Sequence, residues 1–307
     1  GVSAMEQTIR VGDAVVLYGV GRGMKRGRQA SALTALVEMH PGEVVQNRFG
    51  DFRHDDIIGK PFGTKIRSQC AEDGFMYALP AVPPLVGTSL QQSTQVLQNW
   101  DVGLVLQLLY ARPGSRIVEA GTGAGALTVA LASCVAPSGH VLSFDVESER
   151  VMAARQHLRL LGAEAVVAEC DICVRAPEEC KPHYGLLDGM FFDLPDPVAA
   201  SVVMLPYLKS GGRLVAFCPY LGVAQHQSAF LHTLRFQGIR MFEAGAAAWG
   251  VREGARQKKT AQKRDERVDT LWRGGDPWES YRMPGQSHSG FLIVGTKPLA
   301  DEVDQPP

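Results

Sequence analysis

A run of alternating glycines in the middle of the chain limits its fold more than any other feature. The run, Glu119-Ala120-Gly121-Thr122-Gly123-Ala124-Gly125, separates an apolar segment from a helical pattern. Glycines in such a place allow a tight turn and let a ligand approach the backbone closely. The spacing G-x-G-x-G differs from the G-x-G-x-x-G of dinucleotide-binding proteins, and the acid before it would repel a pyrophosphate but attract an ammonium or a sulfonium. We therefore expect a strand-to-helix turn that binds a cationic ligand.

Strand and helix patterns alternate around this turn. The predicted strands are residues 116–119, 140–145, 165–170, 185–193, 212–218 and 290–296, and the predicted helices are 101–110, 125–136, 147–161, 198–208 and 224–237. This alternation predicts a Rossmann-like α/β fold, in which a mostly parallel sheet has helices on both faces and ligands at the carboxyl ends of its strands.

The first 84 residues follow a different pattern. Short β segments broken by glycine predict a small barrel-like or sandwich domain, and they are residues 13–20, 32–39, 43–48, 64–69 and 75–79. Pro83 and Pro84 then end the pattern. We place a domain boundary there, with a small β domain at 1–84 and the Rossmann-like domain at 85–307.

Composition excludes several classes of protein. With 31 Lys and Arg against 32 Asp and Glu the net charge is −1, so a nucleic-acid contact would need a local basic surface. No apolar run approaches the roughly 20 residues of a membrane span, and the first ten residues lack the layout of a signal peptide. The six cysteines fit a reducing compartment, and we expect a soluble intracellular protein. The segment 252–267, with seven basic and three acidic residues, is either a solvated loop or a phosphate contact.

Three acids stand at or beside the ends of successive predicted strands. Glu119 could meet an ammonium, and Asp145 could hold both hydroxyls of a ribose. Asp171 could accept a hydrogen bond from the amino group of an adenine. Together they describe the three parts of S-adenosylmethionine and predict a methyltransferase.

The fourth predicted strand ends in Asp193-Leu194-Pro195-Asp196-Pro197, which resembles the D/N-P-P-Y signature of nitrogen methyltransferases. In this chemistry the enzyme mainly aligns a nitrogen lone pair with the methyl group. If the target is N1 of adenine, an acid that accepts a hydrogen bond from N6 raises electron density at N1 and stabilises the cationic product. We assign this role to Asp193, which directly follows the apolar strand, and keep Asp196 as its rival.

Two further motifs do not alter this interpretation. Cys170, Cys173, Cys180 and His183 have a spacing that could bind zinc, but Cys170 and Cys173 bracket Asp171, so we predict no metal site. We expect His288 to have a structural or substrate-side role.

These motifs together resemble the catalytic subunits of eukaryotic tRNA (adenine-58-N1)-methyltransferases over nearly the whole chain. Segments 49–54 and 58–65 resemble the small β domain of that family, and Thr94-Gln95-Val96-Leu97 with Asp101 resembles its cofactor-covering segment. The most specific likeness combines the 193–197 motif with Gln286-Ser287-His288-Ser289-Gly290-Phe291-Leu292.

The resemblance implies that S-adenosylmethionine donates a methyl group to N1 of adenine 58 in tRNA. It implies a nuclear location, and a partner that is either a related non-catalytic subunit in a heterotetramer or further copies in a homotetramer. It assigns the target adenine to Asp193, and it assigns cofactor binding to Gln95, Glu119, Gly121, Thr122, Gly123, Gly125, Ala126, Asp145 and Asp171.

The chain also departs from the family pattern. Gln92 and Ser93 replace the usual His-Arg pair, and Val198 replaces an aromatic residue. The replacement of the pair keeps open a cofactor-binding assembly subunit without catalysis. A second alternative is another enzyme on the same scaffold, a methyltransferase of another substrate class such as protein carboxyl groups.

Overall fold

Two separate β-sheets organise the chain. The computed structural model describes residues 7–20, 32–71, 74–90, 97–245, 249–253, 278–282 and 290–299. Within them, a four-stranded sheet and a hairpin lie before residue 81, and a seven-stranded sheet and a second hairpin come after it. None of the helices described is both long enough and apolar enough to cross a membrane.

The N-terminal sheet has the order β2-β1-β6-β5, with every neighbouring pair antiparallel. Its strands and those of the hairpin β3-β4 are β1 (Ala14–Val20), β2 (Ala32–Glu38), β3 (Val44–Asn47), β4 (Gly50–Arg53), β5 (Lys65–Arg67) and β6 (Phe75–Pro80). One face of the sheet packs on the hairpin through a fully apolar core that includes Leu17, Phe52, Ile66 and Met76.

Helix α1 (Pro83–Leu90) joins the two sheets, although the sequence predicts only a break at its prolines. Proline is favourable in the first helical turn, where its missing N–H has no partner to lose. Val86 and Leu90 of this helix pack with Leu36 of β2 on one side and with Ala126 on the other. The predicted boundary after residue 84 therefore falls in the first turn of α1, and the division into two domains stays a prediction.

The larger sheet confirms the Rossmann-like prediction. It has the order β12-β15-β11-β10-β7-β8-β9, in which all pairs from β11 to β9 are parallel and β15 is antiparallel to both of its neighbours. Its strands are β7 (Arg116–Ala120), β8 (His140–Asp145), β9 (Val166–Glu169), β10 (Leu187–Phe192), β11 (Leu208–Cys218), β12 (Gln237–Glu243) and β15 (Phe291–Thr296). The second hairpin consists of β13 (Trp249–Glu253) and β14 (Trp278–Arg282).

Helices cover both faces of the larger sheet. They are α2 (Asn99–Leu108), α3 (Ala126–Val135), α4 (Ser148–Leu161), α5 (Pro197–Met204) and α6 (Leu221–Thr233). Because side chains alternate along a strand, Phe191 packs with α2 and α3, whereas Phe192 packs with α5 and α6. Both rings are fully buried, so the end of β10 is held firmly between the two layers.

Candidate active site

Four carboxyl groups converge where the central strands of the larger sheet end. Glu119 is the fourth residue of β7, Asp145 is the last of β8, and Asp193 directly follows β10. These strands are parallel neighbours, so their carboxyl ends meet at one edge of the sheet. The fourth acid is Asp101 of α2, whose charge acts on Asp193.

The glycine loop connects β7 to α3 along this edge. The N–H groups of Gly121 and Thr122 donate to the carbonyl oxygen of Phe144, at 2.9 and 3.3 Å, and the N–H of Gly123 donates to Oδ2 of Asp145 at 3.0 Å. A side chain at Gly121 is impossible, because a Cβ atom there would lie 2.4 Å from the carbonyl oxygen of Asp193. Gly121 therefore fits the loop against the end of β10.

The other two glycines have different roles. Gly125 caps α3 in the left-handed conformation, at φ +84°, and a Cβ atom on it would lie 3.1 Å from that of Ala154. Gly123, at φ +52°, has open space where its side chain would be. The loop thus exposes its backbone at Gly123 and packs against protein at both ends. The neighbouring Thr122 and Ala126 are buried, and the Thr122 hydroxyl lies 2.7 Å from that of Ser143.

Asp145 is only 4% exposed, yet it retains acceptor capacity. Its Oδ2 accepts from Gly123, its Oδ1 accepts from the N–H of Glu147 at 3.0 Å, and Nη1 of Arg150 lies 3.8 Å from Oδ1. Each carboxylate oxygen has two lone pairs, so both can accept a further hydrogen bond. Two adjacent hydroxyls are a suitable pair of donors.

Glu119 is buried to 1% exposure and accepts a hydrogen bond of 2.6 Å from the Thr128 hydroxyl. Burial raises the pKa of this carboxyl group to about 8, and the charges of Asp193 and Asp145 add to the rise, while hydrogen bonds from Thr128 and Ser143 oppose it. A cation bound at this edge would favour the ionised form of Glu119.

Asp193 is held by its own backbone, because its N–H donates to the carbonyl oxygen of Ala120 at 2.9 Å. Burial raises its pKa to about 6, and the charges of Asp101 and Asp145 contribute to the rise. Asp196, the alternative candidate for the catalytic acid, has a structural role. Asp196 is exposed and caps α5, since its Oδ1 accepts from the N–H of Ala199 at 3.0 Å.

The resemblance places Asp101 beside the cofactor-covering segment but gives it no role of its own at this edge. Asp101 is buried to 1% exposure and accepts from the N–H of Gln98 at 3.1 Å, which forms part of a capping box. The sequence does not predict this cap, because glutamine is not a usual N-cap residue. It cannot reveal that the cap lies close enough to Asp193 for the two charges to interact.

Asp171 lies two residues beyond the end of β9, in an exposed turn, where its Oδ1 accepts from the N–H of Cys173 at 2.9 Å. The N–H of the preceding residue, Cys170, donates to the carbonyl oxygen of Asp145, so this turn adjoins the end of β8. The predicted cofactor residue Gln95 lies outside the described residues, as do Gln92, Ser93 and His288. The roles predicted for Gln95 and His288 stay predictions.

A cleft of about 320 Å³ opens beside the residues that follow Asp193. It lies between the starts of α5 and α6 and is lined by Pro195, Asp196, Pro197, Val198, Gly222, Val223 and His226. Among the residues that the structure describes, no group of three or more His, Cys, Asp or Glu side chains could hold a metal ion.

Known structures share this fold. An S-adenosylmethionine-dependent O-methyltransferase from Thermotoga maritima superimposes with a TM-score of 0.72 at 22% identity, over 97% of this chain and 98% of that one. A tRNA (m1A58) methyltransferase from Aquifex aeolicus gives a TM-score of 0.67 at 18% identity, over 96% and 100% of the two chains. The chain therefore has the Rossmann-like fold of these methyltransferases.

Sequence comparison narrows the relationship. The chain is 31% identical over 237 residues to a tRNA (adenine(58)-N(1))-methyltransferase catalytic subunit of Dictyostelium discoideum, which covers 76% of this chain and 72% of the relative. A catalytic subunit of the same name from Cryptococcus neoformans is 32% identical, and this chain spans about half of it, 47%. Residues 74–274 match the family model described as tRNA methyltransferase complex GCD14 subunit. Since that match covers more than half of the sequence, the chain belongs to the GCD14 family of tRNA methyltransferase complex subunits.

Proposed function

We propose that this protein transfers a methyl group from S-adenosylmethionine to N1 of adenine 58 in tRNA. The observation that carries the proposal is the convergence of Glu119, Asp145, Asp193 and Asp101 on the glycine loop. A concentration of buried acids is costly unless a cation is present. S-adenosylmethionine has two cationic groups, a sulfonium and an ammonium, and relatives that are 31% and 32% identical to this chain carry the name of this activity.

The residues at the strand ends fit the parts of this cofactor. Asp145 would accept from the two ribose hydroxyls with its remaining lone pairs, and the open backbone at Gly123 leaves room beside it. Asp171 would accept from the adenine amino group, and Glu119 would stabilise the ammonium across the loop. When bound, the cofactor supplies a methyl group that its sulfonium already activates.

Asp193 has the position of the group that acts on the substrate. In its ionised form its carboxylate would accept a hydrogen bond from N6 of the target adenine, which raises electron density at N1 and stabilises the positive charge of the product. The backbone contact with Gly121 fixes this acid relative to the cofactor loop. Adenine 58 must leave the folded tRNA to reach the site, and the cleft beside Pro195 offers space for the neighbouring part of the substrate.

We further propose that the active form is a tetramer, with a related non-catalytic subunit or with further copies of this chain, and that it acts in the nucleus. The family description names a complex. The net charge of −1 also supports a partner, because several phosphate contacts are needed to bind tRNA firmly. Localisation of the tagged chain by microscopy tests the proposed compartment.

Mass mapping of nucleosides tests the activity. Unmodified tRNA is incubated with S-adenosylmethionine and the protein, alone and with its related subunit, and each product is digested and sequenced by mass. We expect N1-methyladenosine at position 58, at a low level with the chain alone and at a high level with the subunit. Asp193→Asn, which keeps the shape but removes the charge, is the matched control. Cofactor binding without methyl transfer by the complete complex would favour an assembly subunit, and methylation of protein carboxyl groups would favour the other alternative.

A further inference from the structure

The outer face of the N-terminal sheet combines cationic and aromatic side chains. We define this outer face by Tyr18 of β1, Lys65 and Arg67 of β5, and Phe75 and Tyr77 of β6. The strand register places Lys65, Tyr77 and Tyr18 in one row and Arg67 with Phe75 in the next. Because side chains alternate, the residues between them, such as Ile66 and Met76, point into the core on the opposite side.

The side chains of the outer face are accessible and lie close to one another. Lys65 and Arg67 are exposed, and the three rings are half-buried. Nζ of Lys65 lies 3.8 Å from the ring centroid of Phe75, and the rings of Phe75 and Tyr77 meet edge to face at 5.7 Å. The rings of Phe75 and Tyr77 thus contact each other, and the ammonium group of Lys65 lies over the ring of Phe75.

The sequence segments that adjoin these strands are also rich in basic residues. The connection from β1 to β2, residues 21–31, contains four basic and no acidic residues. The connection from β5 to β6 contains Glu72 and Asp73. With Lys65 and Arg67, these segments hold six basic against two acidic residues, in a chain of net charge −1.

Further along this face Val16 is buried and Leu36 packs with α1, so only the end that carries the five defined residues is accessible. Cations and aromatic rings together at this accessible end match a single-stranded nucleic acid. Lysine and arginine contact phosphates, whereas exposed rings stack on unpaired bases regardless of their sequence. A protein partner would more often meet an apolar patch with few charges. We propose that the outer face binds unpaired nucleotides of the tRNA substrate. This inference rests on the proposed function, since it takes the same RNA as the ligand.

Binding measurements on the complete enzyme test the proposal. Affinity for tRNA is measured by fluorescence anisotropy at several salt concentrations. The double variant Lys65→Glu/Arg67→Glu should weaken binding at least tenfold and reduce the slope of log K against log salt by roughly 1.5, because two phosphate contacts are lost. Tyr77→Leu keeps an apolar side chain but removes the ring, so it should weaken binding about fivefold and leave the salt slope unchanged.

The matched control is Arg10→Glu/Lys60→Glu, which makes the same charge change at two exposed residues of the same region that are not on the outer face. This control should change tRNA affinity by less than about twofold, and all three variants should bind S-adenosylmethionine normally. Equal losses in the control and the face variants would overturn the proposal. A change of oligomeric state at unchanged tRNA affinity would also overturn it and point to a protein partner.

The same measurements separate this proposal from the proposed function. If the wild-type enzyme methylates adenine 58 and the face variants bind tRNA normally, the proposed RNA-binding role of the outer face is wrong and the proposed function is confirmed. If the wild-type enzyme binds tRNA through the outer face but makes no N1-methyladenosine, the proposed function is wrong and the RNA-binding role of the outer face is confirmed. Absence of any tRNA binding by the wild-type enzyme overturns both.

Discussion

The strand ends of the larger sheet and the outer face of the smaller sheet have opposite charge. Four acids converge at the strand ends, and burial raises the pKa of Glu119 to about 8 and of Asp193 to about 6. The outer face has Lys65 and Arg67 exposed beside aromatic rings. The acidic centre suits a small cation and repels phosphates, so an RNA substrate needs a basic surface elsewhere. The net charge of the chain is near zero, although these two regions carry charges of opposite sign and each produces its own local electrostatic field.

The largest effect is expected at the acid that meets the substrate. Asp193→Ala should keep most of the affinity for S-adenosylmethionine and lose methyl transfer by at least about a hundredfold, because its carboxylate acts only once adenine is in place. Calorimetry measures the binding, and single-turnover transfer of labelled methyl to tRNA measures the chemistry.

The control for that change is Asp196→Ala. It removes the cap of α5, which should cost about 1 kcal/mol of stability but leave most of the methyl transfer. If Asp196→Ala proved the more damaging variant, the assignment of the two acids would be reversed.

The next effect concerns the cofactor. Asp145→Ala should weaken S-adenosylmethionine binding by about 1.5–3 kcal/mol, the scale of hydrogen bonds to a charged acceptor. Asp145→Asn keeps one acceptor oxygen for the loop and should lose less. Equal calorimetric affinities for the wild type and both variants would place the ribose elsewhere and remove the acidic centre from cofactor binding.

Glu119 should make the stability of the cofactor-free protein depend on pH. Its pKa is about 8 in the folded chain against an ordinary 4.5, so the neutral form is favoured by folding and stability falls as the pH rises through this interval. Between pH 5 and 8 the wild type should lose about 3.5 kcal/mol more than Glu119→Gln, which is always neutral. Urea unfolding across this range measures the difference, and parallel curves for the two proteins would show that Glu119 is already ionised.

The reaction itself should depend on pH through Asp193. Burial and the neighbouring acids raise its pKa to about 6, and only the ionised form accepts a hydrogen bond from N6. The kcat/KM for tRNA should therefore fall about tenfold per pH unit below about 6. Asp101→Asn removes one of the acids that raise this pKa, so it should move the fall to lower pH. A profile that is flat down to pH 5 would exclude Asp193 as the acceptor.

The alternation of the parallel strands was predictable from sequence, and so were the edge strands β2, β5 and β9, whereas the edge strand β12 and helix α1 were not. The buried strands are short apolar runs between turn residues, which single-sequence patterns reveal. Strand β12 has no such pattern, because most of its residues are exposed at the edge of the sheet. Helix α1 starts at Pro83, and a proline pair in a sequence indicates an interruption as readily as a helix start.

The residues of the candidate site also fall into those that the sequence predicts and those that it does not. The acids at strand ends follow from the order of the strands, since parallel strands bring their ends together. Contacts between segments that are distant in sequence do not follow from the order of the strands. The approach of Asp101 to Asp193, and the rows that join Lys65 to Tyr77 and Arg67 to Phe75, depend on helix packing and strand register. Neither can be deduced from local pattern.

The position of β15 has a consequence for synthesis on the ribosome. This strand, Phe291–Thr296, pairs on one side with β11 and on the other with β12. The ribosome must translate residues 219–290 after it has finished β11 and before it reaches β15. This takes several seconds at roughly 5–20 residues per second. During that interval the nascent chain presents an apolar strand with an unpaired edge. The need for chaperones should therefore be greatest late in translation, when most of the protein has already emerged.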